Sequence, residues 1–241
     1  SLNIQRDEVY GQKKVSFKDE TKVIKVVNER ITGRPLWYCI GNTDFMGYEI
    51  KVDERVLIPR PETEVLVESA LKYIDESKTV LDLCTGSGAI AIAVNLKTGA
   101  KVFASDISSD AISLAKENAH ALNANVNFVQ SDMFSEFKKT GGKFDVIISN
   151  PPYIKTDDIC TLQKEVKDFE PKSALDGGKD GLDFYRIIAQ NVKDLLNSDG
   201  VLIMECGDSQ AKQIKEMLTG FSSVEIIKDL ENIDRIVKAV L

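Results

Sequence analysis

Thr79-Val80-Leu81-Asp82-Leu83-Cys84-Thr85-Gly86-Ser87-Gly88-Ala89-Ile90-Ala91-Ile92-Ala93 is the stretch whose reading decides the fold. It runs from a buried strand through a glycine-rich turn into a helix of small and apolar residues. Glycines at such a turn let the backbone approach a ligand closely, and the helix N-terminus behind them offers free N–H groups. No Gly-Lys-Ser/Thr follows, so this is not a P-loop, and the spacing falls short of G-x-G-x-x-G. A cationic or zwitterionic nucleoside therefore suits the turn better than a dinucleotide pyrophosphate.

Downstream, Val102-Phe103-Ala104-Ser105-Asp106 reads as a second strand ending in an acid. An α/β fold binds a ribose diol there, and a carboxylate is the natural acceptor for two hydroxyls. Residues 109–122 read as a helix with Ile112, Ala115 and Ala119 turned inward. Val126-Asn127-Phe128-Val129-Gln130 is a third strand leading to Ser131-Asp132-Met133-Phe134. That acid and soft apolar side chain suit an adenine edge and face, although Asp132 by itself also reads as a turn acid.

The fourth strand, Asp145-Val146-Ile147-Ile148-Ser149-Asn150, stops at Pro151-Pro152-Tyr153 because neither proline can donate to a ladder. Each X-Pro bond stiffens the residue before it. The Asn150 amide and the proline carbonyls are thus aimed off the carboxyl edge of the sheet, where open α/β folds bind ligands. An amide and a fixed carbonyl match a planar group carrying an NH2, such as a side-chain amide, an adenine or a guanine. Tyr153 adds a flat face. The same four residues also read as an ordinary strand exit with Asn as a turn former.

Upstream, Val23, Ile24, Val26, Val27 and Ile31 line one side of a helix expected over residues 19–31, either the end of a helical unit or a brace on the next one. Thr32-Gly33-Arg34-Pro35 breaks it. Trp37 to Gly41 and Phe45 to Ile50 form a hairpin pattern with Asn42-Thr43-Asp44 between. In Ile58-Pro59-Arg60-Pro61-Glu62-Thr63-Glu64, Pro61 opens a helix reaching about residue 73. Arg60, Glu62 and Glu64 sit at its mouth, where acids also simply favour a helix start. Residues 154–175 form a polar excursion long enough to serve as a lid. A helix at 182–196, a strand at 200–206, a helix at 209–219 and strands at 223–228 and 235–241 follow, an α/β alternation closed by an antiparallel pair.

With 241 residues, 43% hydrophobic and 29% charged, the composition is that of a globular chain with one large domain. No apolar run approaches the ~20 residues of a membrane span and no signal peptide is evident, so a cytoplasmic protein is expected. Cys39, Cys84, Cys160, Cys206 and His120 are scattered without metal-ligand spacing, and no metal is expected. A net charge of -7 argues against a broad nucleic-acid footprint.

From Thr32 to Leu241 the chain resembles the HemK/PrmC family of class I S-adenosylmethionine-dependent methyltransferases, which modify the glutamine of the Gly-Gly-Gln motif in peptide-chain release factors. The resemblance is carried by R-I-T-G-R-P-L-W-Y, V-L-I-P-R-P-E-T-E, L-D-L-C-T-G-S-G-A-I, S-N-P-P-Y-I and E-P-K-S-A-L-D-G-G-K-D-G-L-D-F-Y. Asn-Pro-Pro-Tyr is shared with adenine and guanine amino methyltransferases, whereas the second and fifth motifs are narrower. The resemblance implies an α/β, Rossmann-like seven-stranded sheet of order 3-2-1-4-5-7-6 with its last strand antiparallel. It implies a methyltransferase domain over 54–241, a β-hairpin linker over 36–53, and a shortened N-terminal helical segment over 1–35. S-adenosyl-L-methionine would be held by Asp82, Cys84, Thr85, Gly86, Ser87, Gly88, Asp106, Ile107, Asp132, Met133 and Asn150, and released as S-adenosyl-L-homocysteine. Asn150, Pro151, Pro152 and Tyr153 would grip and orient the target amide, with Arg60 and Glu62 at the rim. Cys84 stands where the family usually has glycine, narrowing the room beside the cofactor. Release factors would be the protein partners, with no membrane and no direct nucleic-acid binding. The competing substrate is an adenine or guanine in nucleic acid, or another protein's glutamine.

Overall fold

The structure, a computed structural model, describes residues 17–241, so residues 1–16 of the expected N-terminal segment lie outside the described residues. Helix α1, Phe17–Arg30, forms close to its expected place, but its apolar side is open: Val23, Ile24, Val27 and Ile31 are 42%, 53%, 52% and 76% exposed. Polar ties hold it instead, Arg30 to Glu165 at 3.0 Å and Lys164 Nζ to the Thr32 carbonyl at 3.1 Å.

The next segment corrects the hairpin reading. Leu36–Ile40, expected as the first hairpin strand, is a short helix, α2, entered from Pro35 and closed by Gly41 at φ 92. Proline fixes the entry φ and glycine supplies the left-handed exit, so the two override the β preference of Trp37 and Tyr38. The turn buries Tyr38, whose hydroxyl donates to the Val56 carbonyl. The hairpin comes later, as β1, Asn42–Phe45, and β2, Tyr48–Lys51, with Phe45 opposite Tyr48. Its two-residue turn is Met46-Gly47, both at positive φ, rather than Asn42-Thr43-Asp44.

Helix α3, Pro61–Leu71, has proline in its first turn with Glu62 and Glu64 beside it. There follow β3, Thr79–Leu83; α4, Ala89–Thr98; β4, Lys101–Asp106; α5, Ser109–Leu122; β5, Val126–Gln130; α6, Ser135–Thr140; and β6, Phe144–Ser149. Ser108 caps α5 by accepting from the Ala111 amide at 3.2 Å, and Asn123 ends it in the left-handed region. Residues 154–181 carry 3₁₀ turns at Thr156–Thr161 and Lys172–Ala174 around α7, Lys164–Lys167.

The last third is α8, Asp183–Asn191; β7, Leu196–Glu205; α9, Ala211–Met217; β8, Ser223–Lys228; and β9, Asp234–Val240. Helix α8 is shorter than expected, and β7 starts at Leu196 rather than 200 because Leu196 pairs with Phe144 ahead of an irregularity in which Asp199 takes φ 60. Helix α9 starts at Ala211 rather than 209, since Ser209 at φ 65 cannot be helical.

The large sheet runs β5-β4-β3-β6-β7-β9-β8, with β9 antiparallel to both neighbours and the other pairings parallel. This is the expected order. Strand residues alternate between two cores. Val80, Val146 and Ile148 face a cluster with α3, α4, α5 and the hairpin, while Leu81, Leu83 and Ile147 face one with α6, α8 and α9. Each fully buried Leu or Ile contributes roughly 1.5–3 kcal/mol, which fixes strand register firmly. The order reverses between β3 and β6, leaving a crevice at their carboxyl ends.

Candidate active site

Cys84, Gly86 and Gly88 form the turn after β3, all at positive φ (65, 54 and 82). At Gly88 glycine is required twice, since a Cβ would also sit 3.0 Å from the Ala115 Cβ of α5. Behind the turn, Asp82 is fully buried, and its Oδ2 accepts from Thr85 Oγ1 at 2.5 Å and from the Ala91 amide at 3.2 Å. Its Oδ1 is buried without a hydrogen-bond partner among the described residues. Burial pushes the Asp82 carboxyl up to about 7 against those two hydrogen bonds, and the Asp106 charge adds to the rise.

Asp106 ends β4 and locks the turn from the side. Its carboxylate accepts the Gly86 amide at 2.9 Å through Oδ2 and the Ser108 amide at 3.0 Å through Oδ1. Burial raises its pKa, and the amides of Ser108, Gly86 and Ile107 oppose the rise. Cys84 is raised by burial and by the Asp106 and Asp82 charges, so it remains a thiol, 4.0 Å from the Met133 sulfur.

These elements surround a cavity of about 300 Å³, at the small end for ligand sites. Of the residues expected at a cofactor, Cys84, Gly86, Asp106, Ile107, Asp132, Met133 and Asn150 line it. Asp82, Thr85, Ser87 and Gly88 are not on its wall but build the turn behind it, Ser87 being tied through its carbonyl to the Asn118 amide at 2.9 Å. Pro152 lines the cavity beside Asn150; Pro151 and Tyr153 do not. Pro151 is buried, and the Tyr153 carbonyl accepts from Gln210 Nε2 at 2.9 Å.

The rim residues separate. Arg60 pairs with the buried carboxylate of Glu170, pinning the 154–181 excursion to the start of α3. Glu62 is half-buried, and Glu64 braces the hairpin by accepting the Met46 amide at 2.6 Å. Sequence reasoning missed the far wall: Arg55, Val56 and Leu57 on one side, and Pro171, Ser173, Ala174 and Asp176 of the excursion on the other. Its signal lay in two motifs, V-L-I-P-R-P-E-T-E with Val56 and Leu57, and E-P-K-S-A-L-D-G-G-K-D-G-L-D-F-Y with Pro171, Ser173, Ala174 and Asp176. Two buried residues touching Asn150 and its support were also missed. Asn150 Nδ2 donates to Thr63 Oγ1 at 3.2 Å, and Thr63 Oγ1 donates to Glu205 Oε2 at 2.7 Å.

A seven-stranded sheet with its site at the β3/β6 crevice defines a methyltransferase domain, and the family model of that description matches residues 74–239. A methyltransferase from Pyrococcus furiosus shares the fold at TM-score 0.62 and 20% identity, covering 92% of this chain and 98% of that one. A T. thermophilus 16S rRNA methyltransferase solved with AdoMet and guanosine superposes at TM-score 0.58 and 15% identity, over 83% and 49% of the two chains. The release factor glutamine methyltransferase of Thermodesulfovibrio yellowstonii is 42% identical over 245 residues, 98% of this chain and 87% of its own, and that of Clostridium acetobutylicum is 42% identical over 89% and 78%. The chain belongs to the release factor glutamine methyltransferase family.

Proposed function

We propose that this protein transfers the methyl group of S-adenosylmethionine to the side-chain amide nitrogen of the glutamine in the Gly-Gly-Gln motif of peptide-chain release factors. The observation that carries the proposal is that Asn150 and Pro152, at the end of β6, share one cavity with Asp106 and Asp132, at the ends of β4 and β5. An acceptor for an amide NH2 thus faces the same space as acceptors for a nucleoside. The family membership narrows the target from any amino group to a glutamine.

The cofactor fits the residues present. Asp106, Asp132 and Asp176 give the wall an acidic character suited to a cation, while Arg55 is engaged by Asp53 and Glu117. Ser105 Oγ, buried on the wall, has no hydrogen-bond partner among the described residues, as a polar atom awaiting a ligand would. When bound, S-adenosylmethionine supplies an electrophilic sulfonium methyl and leaves as S-adenosylhomocysteine. Asp106 would accept the ribose hydroxyls, Asp132 and Met133 would take the adenine, and the turn from Cys84 to Gly88, stiffened by Asp82, would hold the methionine portion.

The amide nitrogen is a poor nucleophile because its lone pair is delocalised into the carbonyl. Asn150 Oδ1 would accept one of its N–H groups and the Pro151 carbonyl, on the backbone between the two lining residues Asn150 and Pro152, would accept the other, pushing density onto nitrogen and aiming it. Methyl transfer to that nitrogen would form a C–N bond as the sulfonium C–S bond breaks with its electron pair left on sulfur, and the extra N–H proton would pass to solvent. Tyr153 packs near the target, and the Arg60–Glu170 pair shapes its entrance. We also infer a cytoplasmic protein without direct nucleic-acid binding. In support, no helix among the described residues is long and apolar enough to cross a membrane, and the net charge is -7.

Mass spectrometry of a release factor incubated with the protein and S-adenosylmethionine tests the reading. One added methyl on the glutamine of Gly-Gly-Gln is expected. A release factor left unmodified, while nucleic acid incubated in the same way gains methyl groups, would overturn it.

A further inference from the structure

Asn150 is supported from behind by two buried side chains to which none of the roles above is given. Thr63, in the first turn of α3, is 4% exposed, and Glu205, the last residue of β7, is 2% exposed. Thr63 Oγ1 donates to Glu205 Oε2 at 2.7 Å and accepts from Asn150 Nδ2 at 3.2 Å. The polarity of this chain is fixed by chemistry. A hydroxyl has one proton and an ionised carboxylate only accepts, so Thr63 gives its proton to Glu205 and has only lone pairs left for Asn150. Only the NH2 half of the Asn150 amide can satisfy those lone pairs. With Nδ2 taken by Thr63, its carbonyl oxygen is left as the end available to the cavity that Asn150 lines.

We propose that Glu205 and Thr63 are positioning residues for amide methylation, locking Asn150 with Oδ1 outward so that the site accepts a group bearing N–H donors and rejects one presenting a lone pair. The proposal rests on the amide-methylation reading above. Without this support, the two nearly isosteric ends of the Asn150 amide exchange by a half-turn, and half-turned Asn150 sets its own NH2 against the target NH2. A donor facing a donor neither aims the nitrogen nor enriches it. The cost of burying Glu205 is understandable on these terms, since only an ionised carboxylate, an acceptor alone, fixes the direction of the chain toward Oδ1 outward.

The charged and titratable groups facing Glu205 are Arg235 of β9, Glu62 of α3, Tyr153 after β6, Tyr185 of α8 and the adjacent Cys206. Tyr185 also donates to the Glu205 carbonyl at 2.8 Å. Burial pushes the Glu205 carboxyl up to about 7, while the Thr63 hydrogen bond, Arg235 and the Asn150 amide pull it down and Glu62 pushes it up. Below that pH a protonated Glu205 donates to Thr63, whose own proton then points at Asn150 and favours the half-turned amide. The support therefore fails on the acid side and holds on the alkaline side.

The test compares wild type with Thr63→Val and Thr63→Ser, using a release factor and S-adenosylmethionine. Thr63→Val should lower kcat about 10- to 100-fold, the scale of a misaimed reacting group, with cofactor Kd by calorimetry unchanged. Thr63→Ser should restore most of the turnover. Wild-type kcat should rise through pH 7, and Glu205→Gln should flatten that rise. The side-chain amide signal of Asn150 in nitrogen-15 spectra, assigned by its loss in Asn150→Ala, should be protected from exchange in wild type and unprotected in Thr63→Val. Full turnover in Thr63→Val, no difference between the Ser and Val variants, or a wild-type profile flat from pH 6 to 8 would each overturn the proposal. If wild type leaves glutamine unmodified, the functional reading falls, and the exchange measurement still decides whether Thr63 holds Asn150.

Discussion

Gly86 and Gly88 lie two residues apart in one turn, both in the left-handed region, yet alanine at each should do different things. At Gly88, alanine incurs about 1–2 kcal/mol for an L-residue in that conformation. Its methyl also lands 3.0 Å from the Ala115 Cβ, 3.3 Å from Ile92 Cδ1 and 3.4 Å from the Ala115 Cα. A Cβ cannot rotate away, so α4 and α5 must separate, an overpacking cost of roughly 1–3 kcal/mol. The unfolded chain loses freedom with alanine, which offsets about 0.4–1 kcal/mol. The net loss for Gly88→Ala is about 1–4.6 kcal/mol, centred near 3, or ~2–18 °C in Tm for a chain of this size. At Gly86 nothing lies within 4 Å of the added methyl, so Gly86→Ala retains only the backbone term, about 1 kcal/mol after the same offset. Gly86 lines the cavity, however, so that methyl intrudes on the ligand. Urea unfolding and calorimetric titration with S-adenosylmethionine should show Gly88→Ala losing stability and Gly86→Ala losing affinity. Equal unfolding midpoints for the two variants would refute the packing argument at Ala115.

Three other outcomes follow from the site. Asp106→Ala should weaken S-adenosylmethionine binding by about 1.5–3 kcal/mol, the range for a lost charge-assisted hydrogen bond. Unaltered affinity by calorimetry would remove Asp106 from the ribose site. Asn150→Ala should slow methyl transfer by about 10² or more while cofactor affinity falls only modestly, and near wild-type turnover would reduce Asn150 to a turn residue. Asp82, held up near 7, keeps a proton in the native state that the unfolded chain has lost between about pH 4 and 7, so stability should fall as pH rises through that window. Asp82→Asn should reduce this fall in urea midpoints measured against pH, leaving the part due to Glu205, and an unchanged slope would show that Asp82 does not contribute.

The sheet was legible because period-two burial, a glycine turn and a proline stop each act within a few residues. The pattern of Val80 and Leu81, facing opposite cores, is written in the strand itself. Leu36–Ile40 was misread because its aromatic residues favour a strand while Pro35 and Gly41, outside it, set the backbone. The cavity acids Asp106 and Asp132 were found from their positions after strands. Thr63 and Glu205 were not, because 142 residues separate them and their meaning lies in a contact that exists only after α3 docks on β7. The same holds for Glu170, whose partner Arg60 is 110 residues away.

The arrangement of the sheet explains why the proposed nucleoside and amide duties fall to different strands. Order reverses between β3 and β6, so loops leaving the two strands diverge and open the crevice between them. On one side the ends of β3, β4 and β5 deliver the glycine turn, Asp106 and Asp132. On the other the ends of β6 and β7 deliver Asn150 and Glu205. The halves meet at Ser149, whose hydroxyl donates to the Leu83 carbonyl at 2.8 Å across the β3–β6 pair. Asn150 follows Ser149 and Cys84 follows Leu83, so this buried hydrogen bond sets the distance between the residue proposed to hold the target amide and the turn proposed to hold the methyl donor. Changes on the β4 side should accordingly be read in cofactor affinity and changes on the β7 side in turnover, whereas Ser149→Ala, which loosens the joint between them, should move both.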